Sequence, residues 1–366
     1  MNAEPDRLRL ISGVGAKGPA CFVLQAAGKR LMLDLGEGPP PGVRPDVGDV
    51  GPIDALILSH GHKDHIGGLS LLDNLNHPPV YATASVAAAL PKDVEVRPLP
   101  LGGSADVLGI EVTTGRNGHA PGGVWLHFAV GGGFLYTGDW SAESVLYAFD
   151  PPAKPAATAL LDCSYAGYDK PIAECWNELT PFVARGPLLL PVPANGRGPE
   201  IALEIFRRGL AQIFVDAAMR EALQRLATSD RASLHPGGAE EIARLAATAQ
   251  PIDAAQPRGV MLAAAADGSS GATARLLAEW ENTAEEPAIV FTGYVTPGTP
   301  AERLTKNGRG QFVRWNVHPR LSDVMTLVRS IKPQTVIPAF CDRAQLTLLS
   351  EKLAPARVTM EQTIEL

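Results

Sequence analysis

His60-Gly61-His62-Lys63-Asp64-His65 brings three imidazoles and one carboxylate into six residues, directly after the apolar run from Ile53 to Leu58. Such a run is typical of a buried strand, so the cluster is predicted at a strand exit and a helix start, where ligands can converge. Borderline nitrogen and hard oxygen donors at this density suit one or two zinc-like divalent ions. The chain has only eight histidines and three lie here, so a polar turn with chance histidines is the weaker interpretation.

Two further segments supply the donors that would close a metal site. His119 lies in the turn-rich stretch NGHAPG (117–122), before a strand predicted from Val124 to Val130. Asp139 follows the short apolar run FLYTG (134–138). A lone histidine or aspartate in a loop is usually solvated. Together with the HxHxDH cluster, both residues are predicted metal ligands.

These three motifs, SHGHKDHIGG (59–68), NGHAPG and YTGDW (136–140), resemble those of the metallo-β-lactamase superfamily. The resemblance implies an αββα sandwich with metals at one edge of two facing sheets. It also implies one zinc held by His60, His62 and His119, a second held by Asp64 and His65, and Asp139 as the bridge. A two-metal clamp of this kind activates a water for in-line attack. Asp64 can either ligate or orient that water, and the sequence leaves both roles open.

Composition is that of a cytoplasmic, water-soluble enzyme. The chain has 366 residues, enough for two domains or for one domain with a large insertion. We expect no membrane partner, because no apolar run approaches 18 residues and no charged-then-apolar leader is present. The net charge of −7 argues against a broadly basic surface for nucleic acid, although a local basic funnel is compatible with it. The four cysteines show no CxxC spacing and are interpreted as thiols.

Later motifs resemble the β-CASP nucleases, a branch of the same superfamily. DCSY (162–165) is similar to the (D/E)-S-T-Y-G element, and PVPANGRGPE (191–200) to P-x-F-x-x-G-R-x-Q-E. GYVTPGT (293–299) resembles G-Y-Q-x-x-G-T, whereas DGSSG (267–271) matches its segment loosely and is equally well explained as a plain turn before a helix. His318 stands in the position of the motif-B histidine, before a helix predicted from Leu321 to Ile331.

The β-CASP resemblance implies an α/β fold in which a lactamase-like sandwich carries an inserted α/β domain. We expect the first part of the sandwich over 1–169, the insert over 170–314 and the return to the sandwich over 315–366. Turns that precede helices can hold phosphate. The candidate substrate contacts are Gly196, Arg197, Ser269, Ser270, Gly293 and Thr299.

One departure from the family pattern affects the second metal. The strand in KPQTVIPA (332–339) leads into Phe340-Cys341-Asp342, where the family has a turn with a metal-binding histidine. Phe340 cannot ligate. Either Cys341 or Asp342 replaces the lost ligand, or water fills the position and the second ion binds weakly, or the protein holds one metal and has little nuclease activity. We favour the weak second ion, because His60, His62 and His119 still form a complete triad.

The resulting hypothesis is a zinc-dependent phosphodiesterase, with Mn²⁺ as another option for the second ion, that cleaves single-stranded RNA in preference to DNA. A metal-bound hydroxide would attack phosphorus and His318 would protonate the departing 3′ oxygen, supported by Asp162. Two alternatives stay open: a non-catalytic nucleic-acid-binding or scaffold subunit, and a hydrolase of small lactones or thioesters. A homodimer is also left open.

Overall fold

The computed structural model describes residues 5–281 and 286–366, and its chain divides into two units. The first unit comprises the segments through Ala142, Ala148–Asp169 and His318–Leu366, and the second comprises Glu143–Tyr147 and Lys170–Val317. None of the described helices has both the length and the apolar composition needed to cross a bilayer.

Among the described residues, the first unit contains two seven-stranded sheets. The first sheet has the order β20-β1-β2-β3-β4-β5-β6 and the second β19-β18-β11-β10-β9-β8-β7. The strands are β1 Arg7–Ser12, β2 Cys21–Ala26, β3 Lys29–Leu33, β4 Ala55–Ile57, β5 Val80–Ala82, β6 Val96–Pro98, β7 Gly103–Val107, β8 Ile110–Arg116, β9 Val124–Phe128, β10 Phe134–Tyr136, β11 Thr158–Asp162, β18 Thr335–Ala339, β19 Arg357–Val358 and β20 Thr363–Glu365.

The two sheets pack face to face and helices cover their outer faces. Phe22 and Leu31 from the first sheet share one buried cluster with Leu126 and Leu160 from the second. The α-helices of this unit are α1 Lys63–Ile66, α2 Ala84–Ala87, α9 Leu321–Ile331 and α10 Leu346–Lys352, with 3-10 turns at Leu69–Leu75 and Arg343–Gln345. This is the predicted αββα sandwich, and it forms because both sheets are apolar on both faces.

The second unit is an α/β layer built on one parallel sheet. Its order is β14-β13-β15-β12-β16-β17, and every recorded pairing is parallel. The strands are β12 Leu188–Pro191, β13 Ile213–Val215, β14 Gln250–Pro251, β15 Val260–Ala263, β16 Ala288–Phe291 and β17 Gly310–Phe312. The helices are α3 Ile172–Arg185, α4 Arg197–Arg208, α5 Ala217–Ala227, α6 Gly238–Thr248, α7 Gly271–Trp280 and α8 Pro300–Lys306, with a 3-10 turn at Arg231–Ser233. The α/β insert expected from the sequence is therefore present.

Glu200 in the first turn of α4 is an acid buried in the second unit. Burial raises its pKa to about 7, although the Val145 N–H donates to its Oε1 at 2.8 Å. Since an ionised carboxylate is costly in this environment, its contribution to stability is present below the ordinary pKa near 4.5 and is lost as pH rises through 7.

We therefore expect Glu200→Gln to stabilise the fold at high pH. The amide oxygen can still accept from Val145, but the variant has no charge to bury. Its gain in free energy of unfolding over the wild type should be larger at pH 8.5 than at pH 4.5, by up to about 3 kcal/mol. Urea unfolding at the two pH values measures the difference, and an equal gain at both would contradict the assignment.

Candidate metal and catalytic site

The candidate site lies in the first unit, where several loops follow the carboxyl ends of strands. The HxHxDH segment comes after β4, whose residues are fully buried, and His62 is the N-cap of α1. His119 lies between β8 and β9, and Asp139 follows β10. Asp162 is the last residue of β11, and His318 precedes α9.

Gly36 explains how the HxHxDH loop comes so close to the end of β3. A Cβ atom at Gly36 would lie 1.7 Å from the backbone oxygen of Asp64. The same loop is held by the Leu35 N–H, which donates to the carbonyl of His65, and by the Glu37 N–H, which donates to that of Lys63. Only glycine allows this backbone approach, so the loop is positioned by main-chain contacts.

Four donors converge on one point. His62 Nδ1 lies 3.2 Å from His60 Nε2 and 2.9 Å from His119 Nε2. Asp139 Oδ2 lies 3.8 Å from His60 Nε2 and 3.5 Å from His119 Nε2. Ligands at about 2.0–2.1 Å from a tetrahedral ion stand roughly 3.3 Å apart. The donor set therefore fits a zinc-sized ion.

The other oxygen of Asp139 faces a second group of donors. Its Oδ1 lies 3.2 Å from His65 Nε2, and Asp64 completes a group of three. Because Oδ1 and Oδ2 of one carboxylate face different clusters, Asp139 has the geometry of a bridging ligand. Among the described residues, this second group offers three donors where the first offers four.

Asp162 and His318 form a third group beside Asp139. His318 Nδ1 lies 2.8 Å from Asp162 Oδ2 and 3.7 Å from Asp139 Oδ2. Asp162 is fully buried and is oriented by the Ser164 N–H, which donates to Oδ1, whereas the His318 side chain is 11 % exposed. The hydrogen bond at Nδ1 leaves Nε2 of His318 available for proton transfer.

The electrostatics of the cluster suit cation binding. Burial and the neighbouring His65 and His62 keep the pKa of His60 well below its usual value, so its ring is neutral and has a lone pair to donate. Burial alone would raise the pKa of Asp139, but positive charge on His65 and His318 lowers it well below its usual value. A neutral His60 beside an ionised Asp139 matches what metal ligation requires. Against the effect of burial, Asp139 and Asp34 raise the pKa of His65 well above its usual value, so an ion at the second group must displace a proton from His65.

Comparison with known proteins shows a likeness to one family. Residues 14–179 match the family model described as the metallo-beta-lactamase superfamily. Ribonuclease TTHA0252 of Thermus thermophilus is 26 % identical over 76 % of this chain and 77 % of its own length. The chain is thus similar to the metallo-β-lactamase superfamily over residues 14–179.

Other similar proteins are longer than the chain. Transcription termination factor FttA of Methanosarcina mazei is 24 % identical over 87 % of this chain but 62 % of its own length. Endoribonuclease YSH1 of Yarrowia lipolytica is 28 % identical over 51 % of this chain and 28 % of its own length. A solved structure of a protein of unknown function from Enterococcus faecalis matches with a TM-score of 0.64 and 15 % identity, covering 99 % of this chain and 100 % of that one.

Two buried residues contribute to the site although the sequence did not point to them. Asp34 Oδ2 lies 2.7 Å from His65 Nδ1, and the same carboxylate accepts from the Ser59 N–H and from Tyr136. Asn117 accepts from the His119 N–H through Oδ1 and donates through Nδ2 to the carbonyl of Asp139. Both side chains orient candidate ligands, and a carboxylate on the far nitrogen of a ligating histidine makes that ligand more basic.

Phe340 lies against the second group of donors. Its ring centroid is 5.2 Å from that of His65 and 6.2 Å from that of Phe22, and its side chain is 5 % exposed. Cys341 is buried in the core on the outer side of the second sheet, and Asp342 accepts from the Ala344 N–H as the N-cap of a 3-10 turn. Neither residue joins the groups of candidate ligands found among the described residues. A substitute ligand from Cys341 or Asp342 therefore has no geometric support.

The predicted substrate contacts lie in the second unit, in loops that follow the parallel strands β12, β15 and β16. Arg197 and Gly293 lie against each other, since a Cβ atom at Gly293 would lie 2.2 Å from Nη1 of Arg197. Ser269 and Ser270 are exposed. The Gly196 N–H already donates to the Tyr147 hydroxyl, and the buried Thr299 hydroxyl donates to the Thr296 carbonyl. These last two groups are engaged within the protein.

Proposed function

We propose that the protein is a metal-dependent phosphodiesterase that cleaves single-stranded RNA. The observation that carries the proposal is the placement of Asp139, whose carboxylate faces the three-histidine group, the Asp64–His65 group and His318. The ribonuclease and endoribonuclease names of two relatives favour RNA over DNA. A cytoplasmic location belongs to the same proposal.

The donor sets assign the metal ligands within this proposal. His60, His62, His119 and Asp139 would hold one zinc, and Asp64, His65 and Asp139 would hold a second, with Mn²⁺ as an alternative. When bound, such ions lower the pKa of a water and neutralise charge on a phosphoryl group. Asp34 keeps the ring of His65 turned with Nε2 towards Asp139, because its carboxylate takes the other ring nitrogen.

His318, oriented by Asp162, would act as the general acid that protonates the leaving group. The carboxylate of Asp162 accepts from Nδ1 of His318 and holds the ring in one orientation. A proton on Nε2 is then directed away from Asp162, towards the departing 3′ oxygen. Asp64 would either ligate the second ion or orient the attacking water. Arg197, Gly293 and the exposed serines 269 and 270 would contact phosphates of the RNA, with smaller roles for Gly196 and Thr299.

The second candidate function is a scaffold subunit without catalysis, and Phe340 is the observation that favours it. The phenyl ring packs on His65, at the position where the family resemblance expects a ligand. A second ion with three donors should bind more weakly than the first. RNA cleavage should therefore require free metal at concentrations above those that fill the first site.

Phe340→His tests the proposal against the scaffold reading. A restored imidazole should lower the Mn²⁺ or Zn²⁺ concentration for half-maximal cleavage of 5′-labelled single-stranded RNA by at least about tenfold, because even indirect supports of a metal site change affinity by this much. Phe340→Leu is the matched control, which adds no ligand and should leave the metal requirement unchanged. DNA of the same sequence should be cleaved more slowly.

Two results would count against this account. If the wild type is inert at every metal concentration and Phe340→His gains nuclease activity, the protein has lost an ancestral nuclease activity. The scaffold function is then the correct one. If the wild type cleaves RNA with both ions tightly bound, the weak second site is wrong.

A further inference from the structure

Tyr294 is the most exposed large hydrophobic side chain in the part of the chain that the structure describes. Its exposed fraction is 54 %, compared with 41 % for Phe312, the other exposed aromatic residue of the second unit. Large aromatic side chains are usually buried, because they bring more apolar area than most residues. A single exposed ring is common at protein surfaces, so the neighbours of Tyr294 decide what it can bind.

The backbone places this ring one residue from a cation. Tyr294 follows Gly293, and the space that a side chain at 293 would fill is taken by the guanidinium group of Arg197. Arg197 is 9 % exposed and opens α4, whereas Gly293 lies just after β16. The loop after β16 thus has the guanidinium group of Arg197 against Gly293 and the exposed ring of Tyr294 at the next position. Both lie at the carboxyl ends of parallel strands, where α/β sheets bind ligands.

We propose that Tyr294 is a stacking platform for one base of a single-stranded nucleic acid. This inference rests on the proposed function and adds a base-binding subsite to it. Every base has a flat π-face, so stacking on tyrosine needs no particular sequence. The positive charge of Arg197, whose guanidinium group lies against the preceding Gly293, favours the adjacent phosphate of the same strand. A tyrosine beside an arginine therefore offers both interactions that sequence-independent binding of single strands uses.

The surroundings of Tyr294 favour a base over an apolar protein partner. The loop reads Gly-Tyr-Val-Thr-Pro-Gly-Thr (293–299), and its Val295 packs inwards against the core of the unit. Phe312 is partly covered by the guanidinium group of Arg314, 5.7 Å from the ring centre. A protein interface would need a contiguous apolar patch, whereas one ring in a polar loop matches the size of one base.

Equilibrium binding of a fluorescent single-stranded RNA of about 12 nucleotides to the full chain tests the inference. The measurement is made in chelator, so that no cleavage occurs. Tyr294→Ala should weaken binding about 5- to 100-fold, as expected for one lost base stack. Tyr294→Phe should stay within about twofold of the wild type, because the ring is kept. Phe312→Ala is the matched control for loss of an exposed ring, and it should bind like the wild type.

A second arm uses oligonucleotides with single abasic positions. At one position, removing the base should weaken RNA binding by the wild type as much as the Tyr294→Ala substitution weakens binding of the intact RNA. At that same position, removing the base should not weaken RNA binding by the Tyr294→Ala variant any further. Purely structural damage by the substitution would not produce this dependence. Unchanged binding by Tyr294→Ala, or equal additional losses in both proteins at every abasic position, would overturn the inference.

Hydrolysis of the small chromogenic diester bis(p-nitrophenyl) phosphate separates this inference from the proposed function. The ester has no base that could reach a stacking site, so wild type and Tyr294→Ala should hydrolyse it equally. If the wild type hydrolyses the ester and the Tyr294→Ala variant binds RNA as tightly as the wild type, only the stacking platform is refuted. Absence of both ester hydrolysis and RNA binding from the wild type refutes the platform and the proposed function together.

Discussion

Replacing both His60 and His62 by alanine should remove tightly bound metal from the purified protein and abolish hydrolysis. These residues supply two of the four donors in the first group, and His62 Nδ1 lies within 3.2 Å of both other histidine nitrogens. His119 and Asp139 alone are too few to complete a tetrahedral protein site. Metal content measured by mass spectrometry should fall to near zero, in parallel with RNA cleavage.

His77→Ala is the matched control for this experiment. It also removes an imidazole, but its side chain is 73 % exposed and lies 3.5 Å from the carboxylate of Asp73, outside the site. The control should retain the metal and the activity of the wild type. Full metal occupancy in the His60/His62 double variant would refute the assignment of the first site.

Replacing His318 by alanine should lower turnover of RNA by roughly 10² to 10⁴-fold, the range typical of a lost general acid. His318 is held by Asp162, whose Oδ2 is 2.8 Å from Nδ1, and it does not belong to the four-donor group. The metal content of the first site should therefore stay unchanged. Single-turnover cleavage of an unactivated phosphodiester measures the loss.

A chromogenic phosphodiester separates proton donation from metal binding. Its leaving group departs without a proton, so His318→Ala should hydrolyse it nearly as fast as the wild type. Asp162→Asn should show the same pattern in weaker form, since it removes the acceptor that orients His318. Equal losses on both substrates would show that His318 is not the general acid.

Much of the first unit could be predicted from the sequence because its signals are local. The apolar run before His60 predicts a strand, and the structure places β4 there. The helix predicted from Leu321 to Ile331 is found with those bounds, because its apolar spacing and the proline after it mark one helix. The likeness to the superfamily and the sandwich fold could be predicted from motifs that are each only a few residues long.

The orienting residues could not be predicted in the same way, because their roles depend on strand pairing. Asp34 reaches His65 and Ser59 only because β3 and β4 lie side by side, which brings their carboxyl ends together. An acidic residue directly after β3 was the available signal. The hydrogen bond from the Gly196 N–H to the Tyr147 hydroxyl could not be predicted from the sequence either, since 49 positions separate the two residues.

The position of Phe340 shows which part of the site needs three-dimensional information. The family resemblance predicts that a ligand is missing at Phe340, and the structure places the Phe340 ring against His65. The neighbouring Cys341 belongs to a different core, so the loss is not compensated from the next residue. Weak binding of the second ion is the expected physical consequence.

Zinc titration of the metal-free protein, with bound zinc and RNA cleavage measured in the same samples, tests the central claim most directly. The account predicts one tight zinc per chain, a second zinc at least about tenfold weaker, and cleavage that rises with the second. Cleavage by the protein without metal, or two filled zinc sites without any cleavage, would contradict it.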